Sequence, residues 1–262
     1  MPSSPGKVIL VGAGPGPADL LTVRAVRAIE AAGAILYDAL VGDDVLALAP
    51  AACLKLQTGK RSGKASMDQA LINQLTLRLA GRGLQVVRLK GGDPSVFGRS
   101  GEEVEFLERH GIETEVVPGI TAAAAAAAQF AFPLTHRGEA RRLVLATPRI
   151  REGRITPDGW PGLADPQATL CLYMGRDCAQ AAAERLIASG LAPSTPAIAV
   201  ENAGRPAARL LRADLAGLGE AVEGAAFSGP VLLVIGKSVD RARSPSEEPR
   251  PDELKERCSR EV

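Results

Sequence analysis

Short runs of β-branched residues and leucine alternate along this chain with stretches whose apolar positions recur every three or four residues. The runs predict strands over 7–12, 33–38, 53–57, 84–90 and 114–117, and again over 142–147, 168–173, 196–200, 207–212 and 230–235. Helical patterns lie between them, for example over 19–32, 68–82, 101–110, 121–130 and 178–189. Strand–helix alternation with glycine-rich junctions implies an α/β fold with mainly parallel pairing. The polar, proline-containing stretch over 132–142 divides the chain into an N-terminal α/β domain, 1–136, and a C-terminal α/β domain, 137–239. From Asp240 the chain is charged, proline-rich and without apolar periodicity, so 240–262 is expected to be a disordered tail.

The first apolar run meets three glycines, Gly12, Gly14 and Gly16, before a helical pattern. A dinucleotide turn needs G-x-G-x-x-G, and here the last position is Pro17, with Pro15 also in the turn. A pyrophosphate is held by backbone N–H groups at a helix start, and prolines remove such donors. Asp38, at the end of the second strand, keeps a nicotinamide enzyme open as an alternative, because it lies about where a ribose-binding acid would stand. The donor-poor turn suits a neutral or cationic ligand better than a diphosphate.

With 262 residues the chain has length for a substantial core. Lys plus Arg is 31 and Asp plus Glu is 30, and aromatics are 3%, which argues against a general nucleic-acid binder. Four cysteines, Cys53, Cys171, Cys178 and Cys258, form no CxxC pair, and there are two histidines, so no metal centre is expected. The alanine-rich run 121–134 is too short to span a bilayer, and no signal segment precedes the first strand. These features imply a cytoplasmic protein with reduced thiols and no membrane partner.

Further strand ends carry small residues that let backbone approach a ligand. They are Gly91-Gly92-Asp93-Pro94, Pro118-Gly119 before a helix that Thr121 can cap, Met174-Gly175, and the "VENAG" stretch over 200–204. Ligands of open α/β sheets bind beyond the carboxyl ends of strands, so these corners are candidates for one crevice.

Taken in order, "VGAGPG", "YDALV", "GKR", "VVRLKGGDPSVFGRSGEE", "VVPGITAA", "PLTHR", "YMG" and "VEN" make the chain resemble the tetrapyrrole methylases, which use S-adenosylmethionine; "YDALV" is most similar to the members acting on uroporphyrinogen III. The resemblance implies two α/β domains with the active site in the cleft between them, and a homodimer. It also implies methylation of C2 and C7 of uroporphyrinogen III to precorrin-2, for sirohaem or cobalamin. A methylase of a later precorrin is the alternative within the family, and a relative that binds cofactor without turnover is a third possibility.

Residue by residue, the family's cofactor pocket falls on Pro15, Gly91, Gly92, Asp93, Val96, Thr121, Ala122 and Met174, with Ala203 where the family has a glycine. Asp38 matches the proton acceptor and Lys60 the proton donor. Arg61 and Arg99, in matched loops, are the candidates for the substrate's carboxylates, since guanidinium pairs well with carboxylate. Ala65 and Arg149 stand where the family often has histidines. Since Met1 comes just before the methylase motifs, the dehydrogenase–ferrochelatase domain of some relatives is expected to be absent.

Overall fold

The first apolar run is a strand buried along its whole length, β1 (Val8–Gly12). The computed structural model describes residues 6–59, 67–148, 150, 151, 154, 155, 160 and 162–243. Lys60, Arg61, Ala65 and Arg149 lie outside the described residues, as does 244–262. The described residues divide into two units. One runs up to Ala125 and takes in Asn202–Ala207; the other comprises Ala126–Glu201 and the residues from Ala208 onward.

In the first unit, β1 is followed by a 3-10 turn (Ala18–Leu20), α1 (Val23–Glu30), β2 (Ala34–Tyr37), α2 (Asp43–Ala47), β3 (Leu54–Gln57), α3 (Gln69–Gly81), β4 (Val86–Lys90), α4 (Ser100–Arg109) and β5 (Thr114–Val117). The strands form one parallel sheet in the order β3-β2-β4-β1-β5. The central strands β1 and β4 are buried throughout, as a parallel sheet covered on both faces requires. Alternate residues of β1 serve opposite cores. Ile9 and Val11 pack with Ala25 and Ile29 of α1, while Val8 and Leu10 pack with Ile72 and Leu79 of α3 and Leu107 of α4. α1 forms because Thr22 caps it, its hydroxyl accepting the Ala25 N–H at 3.1 Å, and because Ala25, Ala28 and Ile29 share one buried face.

Next comes α5 (Ala122–Gln129), the alanine helix expected over 121–130. The unit boundary falls inside it, ahead of the 132–142 stretch.

The second unit contains β6 (Arg142–Ala146), a short hairpin of β7 (Ile150–Arg151) and β8 (Arg154–Ile155), β9 (Ala168–Leu172), α6 (Ala179–Ala188), β10 (Pro196–Glu201), β11 (Arg209–Asp214), α7 (Leu218–Gly224) and β12 (Val231–Ile235). Its five-stranded sheet has the order β11-β10-β12-β9-β6. Mainly parallel pairing, expected for the whole chain, does not hold here. Only β6 and β9 pair in parallel, and β9–β12, β12–β10 and β10–β11 are antiparallel. The cause is local: β10 and β11 are joined by a connection too short for a crossover helix.

Cys171 is fully buried on β9, and burial pushes its thiol up to about 12, so it acts as a small apolar side chain. Ordered chain continues past Asp240. A 3-10 turn spans Lys237–Arg241, Ala242 is buried, and the Arg243 N–H donates to Phe130 O at 2.8 Å. Among the described residues no helix is long and apolar enough to cross a membrane.

Candidate functional site

The strands of the first sheet finish in register. Gly12 stands beside Lys90, and Val11 beside Leu89 and Val117, with Leu89 in turn beside Tyr37. The loops leaving these ends therefore meet. Gly92 N–H donates to Gly14 O at 2.7 Å and Gly14 N–H returns to Gly92 O at 3.2 Å. A Cβ on Gly12 would lie 2.5 Å from Gly119 N and 2.8 Å from Gly92 O, so backbone from three loops is packed closer than any side chain allows. Gly92 has φ +70°, a left-handed conformation that glycine adopts without penalty, and a Cβ there would meet only Thr121 Cα, at 3.9 Å. Gly92 and Thr121 thus meet at one backbone corner, with Gly91 and Ala122 beside them in sequence.

Two carboxylates brace it. Asp38 Oδ1 accepts the Leu40 N–H at 2.9 Å and Oδ2 accepts the Gly91 N–H at 2.8 Å. The first bond closes an Asx-type turn; the second ties the loop after β2 to that after β4. Asp93 Oδ1 accepts from Ser95, through N–H at 2.8 Å and through the hydroxyl, and Oδ2 accepts the Gly119 N–H at 2.9 Å. Burial works to raise the Asp93 carboxyl, but the Ser95 and Gly119 hydrogen bonds outweigh it and hold it below the usual carboxylate range. Asp93 thereby staples the loop containing Val96, whose N–H donates to Asp93 O at 3.1 Å.

Pro15 sits at the same edge, and its partner comes from far along the chain. Arg205 Nε donates to Pro15 O at 3.2 Å, and its Nη2 to Leu40 O at 2.6 Å. Sequence reasoning missed Arg205, since 190 residues separate it from Pro15. Ala203 is buried, and the sharp bend comes one residue later, at Gly204, where φ is +83° and a Cβ would strike Pro15 Cγ at 2.5 Å.

Arg99 has φ +56° just before α4, and its guanidinium forks onto Glu102 at 2.9 and 2.7 Å in an exposed pair. Met174 belongs to the second unit, on the turn after β9; its φ is +55° and it is 64% exposed. The glutamate of the "VEN" stretch, Glu201, is buried, and one of its oxygens accepts the N–H groups of Ser228 and Gly229, each at 2.6 Å.

Beneath the Gly91–Gly92 corner lies a cluster of buried charges that sequence reasoning also missed. Lys90 Nζ is 2.7 Å from Glu103 Oε1, Gln69 Nε2 donates to the same oxygen at 2.9 Å, and Arg88 Nε stands 3.4 Å away. Burial, reinforced by the Arg88 guanidinium, pushes the Lys90 ammonium below its ordinary value, against the pull of Glu103 and Asp38. The signal was present in "VVRLK", where charged residues two apart share one face of a strand otherwise apolar.

The strand order bears on the dinucleotide alternative. In that fold the second strand lies beside the first, whereas here β4 separates β1 from β2. Asp38 is thereby displaced one strand spacing, about 4.8 Å, from where a ribose-binding acid would stand.

The model of the family "Tetrapyrrole (Corrin/Porphyrin) Methylases" matches residues 7–219. A uroporphyrinogen-III C-methyltransferase of Paracoccus denitrificans is 44% identical over 232 residues, which cover 88% of this chain and 80% of that protein. A chloroplastic S-adenosyl-L-methionine-dependent uroporphyrinogen III methyltransferase of Arabidopsis thaliana is 45% identical over 90% of this chain and 64% of its own length. A sirohaem synthase of Azotobacter vinelandii is 42% identical, and the chain spans 51% of it. The chain thus spans about half to two thirds of several of the curated relatives it matches. The crystal structure of a Thermus thermophilus uroporphyrin-III C-methyltransferase complexed with S-adenosylhomocysteine matches with 40% identity and a TM-score of 0.76, covering 89% of this chain and 93% of that one. With the family model matched over 7–219 and relatives of 40% identity or more across nine tenths of its length, the chain belongs to the tetrapyrrole methylase family.

Proposed function

We propose that this protein transfers methyl groups from S-adenosylmethionine to C2 and C7 of uroporphyrinogen III, giving precorrin-2 for sirohaem or cobalamin. The observation that carries this reading is the 44% identity to the Paracoccus enzyme across 80% of that protein's length. The 27% identity to a cobalt precorrin-4 methyltransferase, at TM-score 0.79, favours a later precorrin less strongly.

The backbone corner suits the methyl donor. Gly91, Gly92, Thr121 and Ala122 offer close backbone approach, Pro15, Pro17 and Pro118 keep phosphate-binding N–H groups out, and the Asp38 and Asp93 carboxylates favour a cation. Pro15, Gly91, Gly92, Asp93, Val96, Thr121, Ala122, Met174 and Ala203 are the residues that would hold S-adenosylmethionine, which supplies an electrophilic methyl group on a sulfonium. The pyrrole carbon is itself the nucleophile, so the residues mainly position and stabilise charge. Asp38, with its carboxylate oriented by two N–H donors, faces positive charge developing on the ring and accepts the proton whose loss neutralises the methylated ring. Lys60 is the proton donor of this reading, and Arg61 and Arg99 take substrate carboxylates, Arg99 by exchanging from Glu102.

The same reading includes a homodimer and a cytoplasmic site of action, carried by the family resemblance. Light scattering on the purified protein tests the first and fractionation the second. Activity is tested by anaerobic incubation with uroporphyrinogen III and S-adenosylmethionine. The expected product carries two added methyl groups by mass. Methylation of a later precorrin with none of uroporphyrinogen III overturns the proposal.

A further inference from the structure

The loop from Gly91 to Arg99 is held at every turn, yet it presents an aromatic side chain to solvent. Asp93 fixes Ser95 and Gly119, and the Val96 N–H returns to Asp93 O. At Gly98 a Cβ would lie 2.4 Å from Pro94 O and 3.2 Å from Lys90 Cε, so the chain curls back over Pro94 and the buried lysine. On either side of Gly98, Phe97 and Arg99 have φ +55° and +56°. A bulky residue in the left-handed region is a conformational outlier, retained only where its surroundings enforce it, and such residues gather at ligand-contacting positions.

Phe97 is also 41% exposed. The other four phenylalanines of the chain are buried or packed against a core: Phe130 and Phe132 are 3% exposed, Phe106 of α4 packs against the core that includes Leu10 and Leu79, and Phe227 packs in the second unit. In a chain that is only 3% aromatic, a ring left 41% exposed on a strained turn, two residues from the exposed Arg99–Glu102 pair, is a specific placement.

Building on the methyltransferase reading above, we propose that Phe97 is a substrate-contact residue, an apolar platform on which one pyrrole ring of the tetrapyrrole rests beside Arg99. The flat face of the ring matches the flat face of a pyrrole, and the neighbouring guanidinium matches its carboxylate arms. This contact belongs to the tetrapyrrole and not to the methyl donor.

The test uses Phe97→Asn and Phe97→Gly, residues at ease in the left-handed region, with Phe97→Leu and Phe97→Tyr beside them. If Phe97 serves the substrate, Asn and Gly leave the thermal midpoint at or above wild type. They raise KM for uroporphyrinogen III about tenfold and weaken binding of uroporphyrin III, read by its fluorescence, while KM for S-adenosylmethionine stays put. Leu keeps the apolar bulk and gives a smaller rise; Tyr restores wild-type behaviour. Should Asn or Gly destabilise the fold, Leu against Tyr decides by the same readouts. Wild-type tetrapyrrole KM in a folded Asn, Gly or Leu variant overturns the role of Phe97 alone. A wild-type protein that neither binds uroporphyrin III nor methylates uroporphyrinogen III overturns the underlying reading with it.

Discussion

Lys90 Nζ and Glu103 Oε1 lie 2.7 Å apart with both side chains almost wholly buried, directly below the glycine corner of the first unit. Two cations, Arg88 and Lys90, converge on this one carboxylate, and Gln69 donates to the same oxygen. Such an arrangement is costly to break from one side, because the two buried cations lose their counter-charge, although Arg88 Nη1 keeps its bond to Leu89 O at 2.9 Å. Glu103→Gln is therefore expected to lower unfolding free energy by about 3–5 kcal/mol in urea titration. Replacing Arg88, Lys90 and Glu103 together by Leu, Met and Leu should recover most of that loss. Equal stability of the single variant and wild type would show that the cluster contributes nothing as a unit.

The bonds that Asp38 receives from Leu40 and Gly91 orient it without neutralising it. Asp38→Asn keeps the shape but removes the charge and turns one acceptor into a donor facing an N–H group. Methyl transfer in single turnover should fall about a hundredfold or more, in the range usual for a lost general base. Affinity for S-adenosylmethionine, by calorimetry, should change far less, and Asp38→Ala should show the same split. A loss of affinity matching the loss of rate would make Asp38 a loop tether only.

Asp93 works on the corner through Gly119 and Ser95. Asp93→Ala frees both loops, and S-adenosylmethionine binding is expected to weaken about tenfold, the scale of one charge-assisted hydrogen bond. Its carboxyl is held below the ordinary 3.8, so the contribution is complete above that value and fades only as pH falls through the lower one. Calorimetry should find the Asp93 advantage unchanged across neutral and mildly acidic buffers. Unaltered affinity in the variant would remove Asp93 from the pocket.

Two glycines give opposite expectations for the same change. At Gly12 a Cβ would meet Gly119 backbone at 2.5 Å, and neither strand end has a side chain that can yield. Gly12→Ala should cost at least about 2 kcal/mol. At Gly101, inside α4, nothing stands within 4 Å, so Gly101→Ala should stabilise by about 0.5–1 kcal/mol through helix propensity. Thermal midpoints of the pair read this contrast, and a well-tolerated Gly12→Ala would mean the loops can part.

Strands are legible in the sequence because each is a dense apolar run: all ten predicted positions carry a strand, displaced by at most two residues where they begin or end. Less is visible where burial depends on partners. α2 and α7 are too short to show a helical period, and the antiparallel pairing of β10 with β11 and β12 is set by connection length, to which apolar patterning is blind. At the site, Gly91 and Gly92 signal close backbone approach by their residue type alone, since no side chain holds backbone away. The partners of Asp38 and Asp93 are N–H groups, which every residue but proline carries, so no side-chain identity marks them. Arg205 shows the same limit from the other direction: its acceptors are carbonyl oxygens far away in sequence.

Glu201 carries a pH signature of the second unit's fold. Its carboxylate is buried, takes the Gly229 and Ser228 N–H groups, and has Arg209 Nη1 at 3.3 Å from its other oxygen. The Gly229 bond foremost, then the Ser228 bond and the Arg209 charge, hold its pKa below the ordinary 4.5 against the opposing effect of burial. A carboxyl depressed on folding stabilises the native state above its unfolded value and loses that contribution as pH falls through its folded value. Glu201→Gln should therefore be less stable than wild type by about 1.5–3 kcal/mol at neutral pH, with the gap closing in acid. Arg209→Met should narrow the wild-type pH dependence only in part, because the backbone donors remain. Urea midpoints of the three proteins, compared at neutral pH and well below pH 4.5, decide the matter: a gap of constant size at both would mean that Glu201 stabilises by packing and not by its charge.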